Sequence, residues 1–477
     1  MNRTKPDFTN YLSPFSWRYG SDKMRTIWSE VNKRKIWRKI WVAMAEVQSE
    51  FGLVTIEQVE DLRSREEEID VHRANQIESE IHHDVMAEIK TFAEQCPIGG
   101  GIIHLGMTST DVVDNTDALR VRQSLDLILE LLRKLLLIFA ANIEIWADTP
   151  IIAFTHLQPA EPSTLGYRLA QYAQDLLKDW QNLSYLNENL KGKGLKGAVG
   201  TSASFVELLG AAALPKFESR LSDLLELKFF PVTTQVYPRK QDYDVISALA
   251  GMGASLYKFA FDLRLLQSPT IGELSEPFGE KQVGSSAMPF KRNPINAEKI
   301  DSLARLLAQF PRLAWDNAAQ TLLERTLDDS ANRRTLLPEV FLIADELLRV
   351  STRICEDLYV DESALARNLS KYGPFAATER VLMALSKAGA DRQEMHEKIR
   401  GLTMQAWENI RSGGENPLID LVITDPDVLH YLTTDELRPL LDASGHVGDA
   451  AVRAKAFSGH VIESVECKRQ VRDQSGC

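Results

Sequence analysis

The stretch Gly284-Ser285-Ser286-Ala287-Met288-Pro289-Phe290-Lys291-Arg292-Asn293-Pro294 concentrates hydroxyls, two cations and an amide ahead of a long amphipathic segment. Asn293 is a good N-cap and Pro294 a good first helical residue. The loop would then bring Lys291, Arg292 and open backbone N–H groups to one spot at a helix N-terminus. Such a spot suits a carboxylate or a phosphate, although an ordinary surface loop ending in a cap has the same composition. A second run, Glu324-Arg325-Thr326-Leu327-Asp328-Asp329-Ser330-Ala331-Asn332-Arg333-Arg334, sets three arginines among hydroxyl and amide groups. Guanidinium forks match carboxylate and phosphate geometry, but a solvated turn with internal ion pairs could carry the same residues. Thr155-His156-Leu157-Gln158-Pro159-Ala160 places one histidine in a connector before another long segment, where a structural role is the commoner one.

Two other patterns point less far. Gly192-Lys193-Gly194-Leu195-Lys196-Gly197 fits G-x-G-x-x-G, but that motif must follow a strand and open a helix. Residues 180–190 read as helix, which leaves a flexible glycine connector. Glu80-Ile81-His82-His83 holds one E-x-x-H, whereas a di-iron centre needs a second copy and a Glu from each of two more helices. Glu80 is the only glutamate three residues before any of the 9 histidines. An acid or base role for these histidines, or plain surface positions, is what remains.

Positioning such groups falls to helices. Apolar residues recur three or four apart over long spans, with few alternating runs, so the fold is expected to be mainly α. Residues 116–146 form one broad apolar stripe, with the acidic residues 114–117 as caps. Similar spans cover 163–190, 244–266, 296–321 and 336–358, each about 20 residues or more, roughly 30 Å, and should pack lengthwise in a bundle. Residues 125–139 and 245–266 are apolar around much of their circumference, which suggests subunits sharing a helical core. A three-part layout follows: a helical domain over 1–111, a central long-helix bundle over 112–364 and a C-terminal helical domain over 365–477. Shorter helices in the last part should break at Gly373-Pro374, Gly413-Gly414 and Pro417. No fixed-period repeat argues for a solenoid.

The chain has 477 residues, with 55 Lys plus Arg against 67 Asp plus Glu, a net charge of −12. That balance excludes a general binder of nucleic acid or anionic membrane, but not an anionic substrate. With 44% apolar and 26% charged residues the composition is that of a globular protein. The longest strongly apolar stretch, 135–141, is far short of the roughly 20 residues a membrane helix needs. Residues 1–15 carry Asp7 and two prolines and do not read as a secretory signal. Cys96, Cys355, Cys467 and Cys477 are too scattered for a disulfide framework or a zinc site, so free thiols in the cytoplasm and no metal are expected.

Taken together, Thr108-Ser109-Thr110-Asp111, Thr155 to Ala160 and Gly284 to Pro294 resemble, in this order, the three motif regions of the fumarase/aspartase superfamily. Within it, Trp17-Arg18-Tyr19-Gly20-Ser21, His83-Asp84-Val85-Met86-Ala87, Lys291 to Pro294 and Arg325 to Arg334 make the chain most similar to the adenylosuccinate lyase family. The motifs span residues 17–335; the remainder agrees in size and helical character only. The resemblance implies a homotetramer with active sites built from three subunits. It also implies a cofactor-free β-elimination of fumarate from adenylosuccinate, giving AMP, and from the succinyl-carboxamide ribotide SAICAR, giving AICAR.

By the same resemblance Ser285 is the base and His156 the acid, with Lys291 and Asn293 stabilising the aci-carboxylate. Glu298 of a neighbouring subunit would orient His156, and His83 would hold the phosphate or the leaving nitrogen. Arg18 and Tyr19 would meet the phosphate end, Thr108 and Ser109 the succinyl carboxylates, and Gln235, Arg325, Ser330 and Arg334 other parts of the substrate. Asp84 belongs to the same set. His82 and Lys299 stand where relatives often carry arginine, which keeps a possible charge but loses the bidentate fork. The alternatives are a sibling lyase acting on argininosuccinate or malate, and a catalytically silent scaffold of the crystallin kind.

Overall fold

The computed structural model describes residues 8–474, with side chains for 8–466. Residues 1–7 of the stretch read against a secretory signal, the Cys467 side chain and Cys477 lie outside it. The chain is mainly α, with two small two-stranded antiparallel sheets among the described residues. It divides into two compact units. The first comprises the chain up to Leu132, Asp179–Ala254 and Ser302–Arg349; the second comprises Arg133–Lys178, Ser255–Asp301 and the chain from Val350.

In the first unit, hydroxyls set the helix starts. Ser21 and Ser29 accept the N–H groups of Met24 and Asn32, and Thr55 with Gln58 forms a capping box on Ile56–Arg65. Glu30–Glu50 buries Trp37 and Trp41, and Trp41 stacks on Phe92 of Asp84–Gln95 at 6.3 Å between ring centroids. Phe205, Phe217 and Leu221 complete that core. Emptying such a position, as in Trp41→Ala, typically costs about 3–5 kcal/mol.

Several predicted boundaries move for identifiable reasons. The helix expected from residue 116 is Ser109–Ile145. Its start is fixed by Asp111, whose Oδ2 accepts the Thr108 N–H at 2.9 Å. Asp114 and Asp117, expected as caps, lie inside the helix and turn to buried arginines. The span expected over 296–321 is two helices, Ile295–Leu307 and Phe310–Ala319, neither of them 20 residues long. Pro311 in the first turn of the second lacks an N–H to continue the first. The helix expected from 336 is Asp328–Glu356, so most of the arginine-rich run is helical rather than a turn.

In the second unit, residues expected as a connector form an antiparallel hairpin, Pro150–Thr155 paired with Gln158–Thr164. Pro150, Pro159 and Pro162 mask the strand signature, since proline cannot donate to a ladder. Thr155 pairs with Gln158, leaving His156 and Leu157 as a two-residue turn with φ 54° and 59°. Positive φ at both positions is the mark of a type I′ turn, whose twist matches the strands. The break expected at Gly373-Pro374 does not occur. Glu362–Lys387 runs through both, with Pro374 buried and Gly373 so close to Ala443 that a Cβ would fall 2.6 Å from its methyl. Packing overrides the local preference there. Arg392–Arg411 does stop before Gly413, which has φ 90°. Leu385, Ile399, Leu418 and Leu437 form the local core.

Cys96 and Cys355 are buried free thiols, and burial pushes the Cys96 thiol up to about 11. No helix among the described residues is long and apolar enough to cross a membrane.

Candidate active site

The first unit contains a cleft whose lining includes Lys33, Asp84, Thr110, Arg325, Ser330 and Arg334, so four of the sequence candidates come together there. Arg334, 61% exposed, donates to Asp84 at 2.9 Å and keeps much of its fork in solvent. Burial alone would raise the Asp84 carboxyl. The charge of Arg334 and the N–H of Val85 outweigh that and hold it below its ordinary value. Arg325 instead spends a nitrogen on Asp329 at 2.7 Å.

Backing the cleft lies a buried network of which the sequence reading singled out only Asp329 and Arg333, in the arginine-rich run. Arg239 grips Asp114 at 3.1 and 3.2 Å and Asp329 at 2.6 Å, and Arg333 donates to Asp242 at 2.9 Å and the Tyr237 hydroxyl at 2.8 Å. The Tyr237 hydroxyl in turn donates to Asp242 at 2.6 Å. Partners on every side keep these arginines charged in spite of burial, so their forks cannot rotate toward a ligand. Arg239 thereby fixes Asp329, the partner of Arg325 and the residue before Ser330.

Arg18 and Tyr19 occupy a turn fixed from below. The Gly20 N–H donates to Glu346 at 3.1 Å, and the Ser21 N–H and hydroxyl donate to Asp345 at 2.5 and 2.9 Å. Gly20 has φ 76°, and a Cβ there would fall 2.7 Å from the Leu342 methyl. Arg18 itself is exposed, between the rings of Trp17 and Tyr19 at 5.7 and 5.9 Å.

His82 ends the Val71–Ile81 helix in the left-handed conformation, φ 53°, immediately before His83. His83 caps the next helix, its Nδ1 accepting the Met86 N–H at 3.3 Å, while its Nε2 lies 3.5 Å from the Ser109 hydroxyl. The Thr110 hydroxyl donates to the Gln235 carbonyl at 2.6 Å, and the Gln235 N–H donates to the Glu324 carbonyl at 3.1 Å. His83, Ser109, Gln235 and the residue before Arg325 are thus tied by short links. Thr108 abuts the same helix start.

The glycine pattern at 192–197 is not a flexible connector. Lys193 is fully buried with its Nζ 2.5 Å from Asp111, and the N–H groups of Lys196 and Gly197 donate to the same carboxylate oxygen at 3.2 Å each. The glycines let backbone close on that carboxylate. At Gly192 a Cβ would fall 2.4 Å from the Asn115 side-chain oxygen.

The other candidates lie in the second unit. The Ser285 hydroxyl oxygen accepts the N–H of Met288 at 3.1 Å and of Ala287 at 3.4 Å. The loop closes behind it. Asn293 donates to the Gly284 carbonyl at 2.9 Å, and a Cβ on Gly284 would fall 2.1 Å from the Lys291 carbonyl. Asn293 was expected as a helix cap. The cap of Ile295–Leu307 is instead the buried Glu276, whose oxygens accept the N–H groups of Asn296, at 3.0 and 3.1 Å, and Ala297, at 2.9 Å. That helix end already holds a carboxylate and is not open to an anion. Burial outweighs these bonds and pushes the Glu276 carboxyl up. Glu298 is exposed in the first turn, 3.8 Å from Arg264, and Lys299 follows it half-buried. Lys291 is exposed in the loop, and His156 is exposed at the hairpin tip.

Two backbone N–H groups on a serine oxygen would stabilise an alkoxide, and an exposed histidine on a rigid turn can exchange a proton with a ligand. Among the described residues no group of three or more His, Cys, Asp or Glu side chains is arranged to hold a metal ion. Glu276, Lys193 with Asp111, and Arg239 with Asp114 escaped the sequence reading because each meets its partner across 20 or more residues, where no local spacing rule operates.

Comparison with known proteins agrees with these motifs. Residues 18–307 match the family model described as Lyase, and residues 374–457 match the one described as Adenylosuccinate lyase C-terminus. The adenylosuccinate lyase of Saccharomyces cerevisiae is 40% identical over 460 residues, covering 95% of each chain. That of Schistosoma mansoni is 38% identical over 461 residues, covering 94% of this chain and 95% of the other. The crystal structure of 3-carboxy-cis,cis-muconate lactonizing enzyme from Pseudomonas putida superposes with a TM-score of 0.83 at 25% identity, covering 94% of this chain and 99% of that one. By sequence over nearly its whole length, the chain belongs to the adenylosuccinate lyase family.

Proposed function

We propose that the chain catalyses the β-elimination of fumarate from adenylosuccinate, giving AMP, and from SAICAR, giving AICAR, in purine nucleotide synthesis. The observation that carries this reading is the Ser285 hydroxyl under two backbone N–H groups, in a chain that matches adenylosuccinate lyases over 95% of its length. Ser285, as alkoxide, removes the proton from the carbon beside a succinyl carboxylate. The resulting aci-carboxylate is a dianion, which Lys291 and Asn293 stabilise. The carbon–nitrogen bond then breaks, and His156 delivers a proton to the departing nitrogen.

Thr108 and Ser109 take the succinyl carboxylates, and Arg18, Tyr19, Arg325, Ser330 and Arg334 take the phosphate and ribose end. His83, Asp84 and Gln235 line the region between, with His82 and Lys299 modulating charge. The reaction as proposed draws on no cofactor. Glu298 acts on His156 across a subunit boundary in a homotetramer. Phe261 and Leu265, 52% and 39% exposed on the Lys240–Leu266 helix, support such burial by another copy. The same reading puts the enzyme in the cytoplasm.

Purified protein should release fumarate from both substrates, followed by the fall in ultraviolet absorbance as each is cleaved. Activity confined to argininosuccinate or malate, or none on any of them, would overturn the assignment.

A further inference from the structure

We infer that Lys193 is a positioning residue for the fumarate end of the substrate, acting through Asp111 on the segment Thr108 to Thr110. The inference rests on the functional reading above, which gives Thr108 and Ser109 the succinyl carboxylates. Lys193 is fully buried and cannot itself meet a ligand. Its Nζ donates to Asp111 Oδ1 at 2.5 Å, the Gly197 carbonyl at 2.9 Å and the Thr110 hydroxyl at 3.3 Å. The other oxygen of Asp111 accepts the Thr108 N–H at 2.9 Å. One ammonium therefore bears on both ends of the three-residue segment: on Thr108 through the carboxylate, and on Thr110 directly. The Thr110 hydroxyl passes the restraint to the Gln235 carbonyl at 2.6 Å.

The enclosure is built on purpose-shaped backbone. Asn115 exchanges bonds with Gly194, at 3.0 Å to its N–H and 3.1 Å to its carbonyl, so the 192–197 loop is locked to the helix that begins at Ser109. Ser202 closes it from the far side through the Leu195 carbonyl at 2.9 Å. Removing the ammonium leaves Asp111 a buried carboxylate with backbone N–H partners only. It must protonate or draw the segment elsewhere. Groups that orient a substrate must keep their places to within about 1 Å to stay effective.

The test compares inhibition by the two products. In Lys193→Met the inhibition constant of fumarate and the KM for adenylosuccinate should rise about tenfold or more, with a smaller change in kcat and with AMP inhibition within about twofold of wild type. Lys193→Arg, which keeps the charge and the donors, should recover most of the loss. Thr110→Val removes one hydroxyl from the link and should raise the fumarate constant about fivefold, the worth of one hydrogen bond; it decides the matter should Lys193→Met fail to fold. An unchanged fumarate constant in the folded variants overturns the inference. So does an equal rise for AMP and fumarate, which would mean general loosening. A wild-type chain that cleaves no adenylosuccinate overturns the functional reading first, and this inference with it.

Discussion

A serine hydroxyl is a weak base in water, so its reactivity must come from what surrounds the oxygen. At Ser285 that is the pair of N–H groups from Ala287 and Met288, and they lower the cost of the alkoxide only if the oxygen is present to receive them. Ser285→Ala should therefore lower kcat by about a thousandfold with the unfolding temperature nearly unchanged, because the loop is exposed and contributes little core. His156→Ala should do the same; near-normal turnover in either variant, measured on adenylosuccinate, would remove the role. Asp84 carries a pH signature. Its folded carboxyl titrates below the unfolded value, so its ion pair with Arg334 stabilises fully above about pH 4 and is lost as pH falls through the folded pKa. Arg334 is largely exposed, which limits the effect to about 1 kcal/mol or less. Denaturant melts of Asp84→Asn against wild type should differ at pH 7 and converge once the pH has fallen below the folded pKa, and a difference that persists there would point to another cause.

At the scale of elements, the proposed chemistry depends on two tight turns. Gly284→Ala places a methyl where the Lys291 carbonyl now lies, 2.1 Å away, so the loop must open and the Ser285 cradle with it. Turnover should fall at least tenfold, measured beside an unfolding curve that stays near wild type. The hairpin turn tests strain. Leu157 is 70% exposed with φ 59°, a conformation that costs an ordinary residue about 1–2 kcal/mol. Leu157→Gly relieves this but loses about 0.5–1 kcal/mol to the freer unfolded chain, so stability should stay within about 1 kcal/mol; Leu157→Val, β-branched, should be the less stable. The long helices were legible because a stripe repeating every three or four residues is a local signal. The hairpin was not, since prolines hide its alternation. The cap at Ile295–Leu307 was misread because Asn293-Pro294 satisfies the local rule while Glu276, far earlier in the chain, takes the N–H groups. Gly192 to Gly197 showed the same limit: its glycines announce a close backbone approach, and only the fold reveals that the approach is to Asp111.

At the scale of the whole molecule, a net charge of −12 meets a substrate that is itself a polyanion. The surface field opposes the encounter, and in the proposed reading exposed cations such as Arg334 and Lys291 answer it locally. Added salt weakens both terms, but short-range pairing in a cleft is screened less than the long-range field. The sharper test of molecular organisation concerns subunits. In the proposed tetramer one site takes Ser285 from one subunit and His156 from another. Inactive Ser285→Ala and His156→Ala chains, mixed and allowed to exchange, should then form some sites that hold both intact residues. For a site that draws each residue from a different, randomly chosen subunit of an equal mixture, about a quarter of sites regain both groups, so activity should recover to roughly that fraction of wild type. If both residues came from one subunit, no mixture could restore a site. Recovery measured after exchange has been verified by mass spectrometry of differently tagged chains separates the two arrangements, and its absence would rule out the shared site while leaving the chemistry assigned to Ser285 and His156 intact.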